Sequence, residues 1–197
     1  MLPVVFPLLA GYTLIGPLVA TGMYELSRRR ELGLDCSRRH AFEILKFQSI
    51  RAIATLGVAL MVIYFAWLGT AQIIYAINFG GAPPASVIDF ALQVFTTPAG
   101  WILIIVGSGV GFVFAAVVFT LSVVSFPLLM DHDVGVMTAI KVSIRAVLAN
   151  PVTMAIWGII VAATLLIGTA PFFVGLAVAL PVLGHATWHV YRKVVVW

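Results

Sequence analysis

The sequence predicts an all-α, polytopic transmembrane helical bundle of about five spans, with short amphipathic cytoplasmic interfacial helices. Three observations predict it. Of 197 residues, 62% are hydrophobic and 9% charged, with a mean hydropathy of +1.15, whereas an ordinary soluble domain carries roughly 25% charged residues. Residues 52–88, 90–130 and 146–191 contain no Asp, Glu, Lys or Arg. These runs are unbroken rather than alternating, which selects helices over the strands of a barrel.

A helix rises about 1.5 Å per residue and needs about 20 residues to cross the hydrocarbon core. Gly, Pro and Asn then divide the chain, a single membrane domain over 1–197, into spans near 2–25, 52–76, 98–129, 151–169 and 171–191. Between the first two, Ser37 reads as the N-cap of an interfacial helix near 38–47, with Phe42, Ile44 and Leu45 toward the bilayer. Between the third and fourth, Asp131-His132-Asp133 opens a second interfacial helix near 133–149, where the carboxylates read as caps facing the helix dipole. Its apolar positions are Val136, Ile140, Ile144 and Val147, and Lys141 and Arg145 stand four apart on another side.

The remaining stretch, Asn78 to Pro98, reads as a loop and contains one acid, Asp89, and no base. Arg28, Arg29, Arg30, Arg38, Arg39, Lys46, Arg51, Lys141, Arg145, Arg192 and Lys193 all fall on the other face, so the positive-inside rule turns that face to the cytoplasm. At their head are Arg28, Arg29, Arg30, Arg38, Arg39, Lys141, Arg145, Arg192 and Lys193, read as topology signals or contacts to lipid headgroups. A net charge of +4 therefore does not indicate a nucleic-acid partner. The single cysteine, Cys36, excludes an internal disulfide. Five spans place Met1 outside, which raises the expectation of an earlier inward segment and six spans in the complete protein.

Gly16-Pro17-Leu18-Val19, Phe126-Pro127-Leu128-Leu129 and Leu180-Pro181-Val182-Leu183 form a weak internal repeat, each toward the cytoplasmic end of an inward-running span. Proline removes a helix hydrogen bond and kinks the chain.

Tyr24 to Arg30, Thr97-Pro98-Ala99-Gly100-Trp101, Ser125 to Asp131, and Pro181 to Arg192 through Gly184-His185-Ala186-Thr187-Trp188-His189 occur in an order that resembles the bacterial family called domain of unknown function 2189. The resemblance implies a proteobacterial inner-membrane protein and no known reaction. It also implies a further apolar segment before Pro3, and a basic residue where this chain has His132.

Among candidate sites, His185 and His189 stand one helical turn apart, a spacing that can present two imidazoles to a metal ion or a haem. Met130 and His132 could complete such a site, while the plainer reading is an interhelical hydrogen bond plus an interfacial histidine. Glu25 can pair with Arg28 and Arg29 along one helix. Gly107-x-x-x-Gly111 fits close helix packing, or alternatively local unwinding around a solute. Trp67, Tyr75, Trp101, Trp157, Trp188 and Tyr191 suit interfacial belts and interhelical bonding.

No phosphate loop, Ser-His-Asp order or catalytic carboxylate pair is present in the sequence. The first expectation is a non-catalytic accessory or assembly subunit that contacts lipid and binds another membrane complex, respiratory or photosynthetic, or itself. The alternatives are a small transporter or channel using the Gly-rich third span, and a metal or haem carrier using His185 and His189.

Overall fold

The computed structural model describes residues 20–35, 50–80, 86–170 and 174–195. Among them every regular element is a helix: α1 (Thr21–Glu31), α2 (Ile50–Phe79), α3 (Val87–Thr96), α4 (Pro98–Ser122), α5 (Ser125–Asp131), α6 (Val136–Ala149), α7 (Pro151–Thr169) and α8 (Leu176–Val194). Among the described residues, three stretches are long and apolar enough to cross a membrane: Ile50–Phe79, Pro98–Asp131 and Pro151–Thr169. The first span near 2–25 and the interfacial helix near 38–47 lie largely or wholly outside the described residues.

Two sequence expectations are corrected. The stretch read as a loop around Ala82–Phe95 contains α3, started by Ser86, whose hydroxyl accepts from the Asp89 amide at 3.1 Å and donates to the Asp89 carboxylate at 2.7 Å. This is a local capping arrangement of the Ser-x-x-acid kind. The helix near 133–149 begins only at Val136, behind Gly135, and neither Asp131 nor Asp133 caps it. Asp131 instead ends α5. The span expected near 98–129 falls within the apolar stretch Pro98–Asp131, which turns at Val123–Val124. Trp188 and Tyr191 are buried in the core, at 0% and 1% exposure, and the Tyr191 hydroxyl bonds across to Asp131 on α5.

The described residues form two compact units, one within Ala59–Val118 and the other within Ile15–Val58 and Phe119–Trp197. In the first, Trp67 lies over Gly111, where a Cβ would come 3.0 Å from the indole, and its ring meets Phe114 at 5.7 Å. Tyr75, Phe79 and Phe90 cluster with ring centroids 5.3 to 6.2 Å apart, holding α3 on the end of α2. The corner from α3 into α4 explains Thr97-Pro98-Ala99-Gly100. Thr97 Oγ1 accepts from the Gly100 amide at 3.0 Å, and Pro98 occupies a first-turn position that needs no N–H donor. A Cβ on Gly100 would come within 2.2 Å of the Val94 carbonyl oxygen, so only glycine fits this turn.

In the second unit, α5 is the centre: Ser125 through Met130 are all buried, and α1, α6 and α8 pack around it. Pro127 accounts for the interruption before it, because its ring conflicts with the carbonyl four residues back, that of Val123. An unbroken helix would join the Val124 N–H to the Thr120 carbonyl. Here the hydroxyl of Ser143, on α6, stands between them, accepting from Val124 N at 3.3 Å and donating to Thr120 O at 2.7 Å. Ser143 is fully buried, flanked by Ala139 and Ala146 at helical spacing. Small side chains, rather than Val136, Ile140, Ile144 and Val147, therefore line the closest approach of α6, and those four are half-buried flanks.

Candidate functional site

Helices α1, α5 and α8 pack on one another, and their C-terminal ends bring together most of the chemistry-bearing side chains of the described chain. The pairing of α1 with α8 is parallel, since contacts advance together along both. Gly184 faces Met23, where a Cβ would lie 2.6 Å from the Met23 Cβ, so the glycine permits the crossing. One turn on, Ser27 hydrogen-bonds His185 Nδ1. At the end, Glu31 lies 3.8 Å from His189 and 3.3 Å from Arg192.

Ser27 also donates to the Met23 carbonyl at 2.9 Å. A hydroxyl has one proton. With that proton on Met23 O, Ser27 Oγ accepts from His185 Nδ1–H, and Nε2 of the imidazole keeps its lone pair.

Glu25 is completely buried, at 0% exposure. Its carboxylate accepts from Arg28 Nε and Nη2 at 2.8 and 3.1 Å, and from Arg29 Nε at 2.8 Å. Two guanidiniums on the same helix thus meet the charge of an acid that the core would otherwise exclude. Asp131 accepts from the Tyr191 hydroxyl at 2.9 Å and from Arg192 Nη1 at 3.2 Å, with His132 Nε2 at 3.4 Å. Arg192 therefore bridges carboxylates on α1 and α5 from its place on α8.

The candidate metal ligands take separate partners. His185 is bound to Ser27, His189 is 66% exposed beside Glu31, His132 turns to Asp131, and Met130 is buried. Among the described residues, no three His, Cys, Asp or Glu group in a way that could hold a metal ion. Gly111 meets Trp67, whereas a Cβ on Gly107 or Gly109 would meet nothing within 4 Å. Arg28 and Arg29 are engaged by Glu25 and Arg192 by Glu31 and Asp131, while Lys141, Arg145 and Lys193 are exposed. Arg38 and Arg39 lie outside the described residues.

Ser27, Glu31 and Ser143 were not legible as site residues. Ser27 and Glu31 are one turn apart, on the face of α1 that meets α8, yet a lone serine and a terminal glutamate look the same on any solvated helix end.

Three described stretches elsewhere in the chain are long and apolar enough to cross a membrane, and the family comparison agrees. The family model described as predicted integral membrane protein, DUF2189, matches residues 5–131. The chain belongs to that family. The matched segment contains α1 through α5, including Glu25, the Thr97–Gly100 corner and Pro127; the motif from Pro181 to Arg192 lies beyond it. No curated protein and no solved structure matches the chain.

Proposed function

We propose that this integral membrane protein is a non-catalytic accessory subunit that binds another membrane complex through the exposed face of α4. One observation carries the reading. The span that includes α4 is the most apolar of the three, with hydropathy 2.7, and only 6% of its apolar window is covered by the rest of the chain. Within it, Gly107 and Gly109 face open space. Glycine costs a helix about 1 kcal/mol relative to alanine, and lipid tails have no need of the gap it leaves. A second transmembrane helix does, because small residues let two backbones approach closely.

The proposed setting is a bacterial inner membrane, with the ends of α1, α5 and α8 in the cytoplasm. Supporting it, Arg28 to Arg30, Lys141, Arg145, Arg192 and Lys193 all belong to one compact unit, whereas Ala59–Val118 contains no Lys or Arg. On this reading α8 is a further span.

The test is a photo-crosslinking residue placed at position 107 or 109 in native membranes. A discrete adduct lost in Gly109→Leu is expected; adducts to lipid alone, with the protein migrating by itself in mild detergent, would retire the proposal.

A further inference from the structure

A groove of about 310 Å³ runs between the second half of α6 and the last residues of α8, within the same compact unit. Its volume is at the lower end of small-ligand sites. Val142, Ala146, Ala149, Val194 and Val195 give it apolar walls, and Arg145 and Asn150 also line it. We propose that this groove seats one acidic phospholipid, with the phosphate on Arg145 and part of an acyl chain along the apolar walls.

Charge decides the head. Arg145 is exposed and has no carboxylate within ion-pair distance among the described residues, in contrast to Arg28, Arg29 and Arg192, each of which meets an acid. Lys141, four residues earlier and also exposed, adds a second positive charge on the adjoining turn. A guanidinium offers paired donors that match the oxygens of a phosphate.

The surroundings decide the tail. Leu148 and Val152, close in the chain to the lining residues Ala149 and Asn150, are 71% and 70% exposed, apolar surface that suits hydrocarbon better than water. A cation in the lining of an apolar furrow, with exposed aliphatic side chains nearby in the chain, suits a headgroup joined to a chain. A soluble anion would use the first part and leave the second empty. The inference is independent of the partner assigned to α4.

The experiment measures lipid retained by the purified full chain, by native mass spectrometry, after exposure to phosphatidylglycerol or to phosphatidylcholine with the same acyl chains. Preferential retention of phosphatidylglycerol is expected, reduced about fivefold in Arg145→Gln, the effect of one basic residue at a lipid surface. Ala149→Phe keeps every charge and fills the groove from an exposed position, so it is expected to lower retention as well. Equal retention of the two lipids, or undiminished binding in Arg145→Gln, would overturn the proposal. So would unchanged binding in Ala149→Phe, which would leave only a surface charge, or displacement by glycerol phosphate as effective as by diacyl lipid, which would make the site one for free phosphate.

Discussion

Arg192 donates from Nη1 to Oδ2 of Asp131 at 3.2 Å, joining residues 61 positions apart in the chain. The same oxygen receives the Tyr191 hydroxyl at 2.9 Å. The two donors differ in environment: Tyr191 is 1% exposed, the Arg192 side chain 48%. Solvent screens the exposed ion pair, which contributes well under 1 kcal/mol, while the buried hydroxyl contributes about 1 kcal/mol through its hydrogen bond.

Thermal unfolding in detergent should therefore rank Asp131→Ala as more damaging than Tyr191→Phe, and Tyr191→Phe as more damaging than Arg192→Gln. Asp131→Ala removes the acceptor that the Tyr191 hydroxyl and Arg192 share. A larger loss from Arg192→Gln than from Tyr191→Phe would mean that the bridge across α1, α5 and α8, rather than the buried bond, holds the helix ends.

Glu25 makes a sharper demand. Replacing it with alanine leaves Arg28 and Arg29, whose side chains are 21% and 16% exposed, crowded together without the shared carboxylate. Breaking a buried pair by removing one member costs about 3 kcal/mol. Glu25→Ala should lower the unfolding temperature sharply. Glu25→Gln should lower it less, since its amide oxygen still accepts from a guanidinium.

Ser143 offers a test of why the α4–α5 junction holds its form. Ser143→Ala removes the group that satisfies both the Val124 N–H and the Thr120 carbonyl, at a cost of about 1–3 kcal/mol for buried polar groups left unpaired. In a Pro127→Ala background the helix can close that bond itself, and the cost of Ser143→Ala should fall. Equal costs in the two backgrounds, read as a double-mutant cycle of unfolding temperatures, would separate the serine from the proline.

How much of this was legible depended on range. Long apolar runs gave α2, α4 and α7 because membrane crossing is a property of some twenty neighbouring residues, and Glu25 with Arg28 and Arg29 was legible because all three sit within one turn. The α3 helix was misread because Gly80-Gly81 and Pro83-Pro84 dominated the stretch, although Ser86-x-x-Asp89 marked its start. Pro127 announced a kink, but nothing local tied Ser143 to Thr120, 23 residues away. The contacts of Asp131 were hidden for the same reason: its partners lie about 60 residues later, and its place between two helices looked equally like a cap.

Gly184 shows the same long-range dependence in packing. An added Cβ there would come 2.6 Å from the Met23 Cβ, an atom fixed to the backbone of α1 that cannot swing aside. Gly184→Ala should force α1 and α8 apart, costing about 1–3 kcal/mol as overpacking does. The displacement should stretch the Ser27–His185 bond one turn away. Gly107→Ala has open space around it and gains helix propensity, so the purified chain should be as stable or slightly more so. Unfolding temperatures of the two variants check the contrast, and similar losses in both would point to helix geometry in place of the α1–α8 crossing.

The proposed orientation makes its own prediction through the single cysteine. If the basic unit faces the cytoplasm, Cys36, between Arg30 and Arg38, should react with a membrane-impermeant maleimide only after the inner membrane is opened. In a Cys36→Ser background, Asp89→Cys on the first turn of α3 should react in intact spheroplasts, because Ser86 to Asp89 are exposed and that end of the chain carries no base. The reverse labelling pattern would invert the protein in the membrane. It would also move the Arg145 groove to the outer leaflet, where the lipid test would have to be repeated with the headgroups of that side.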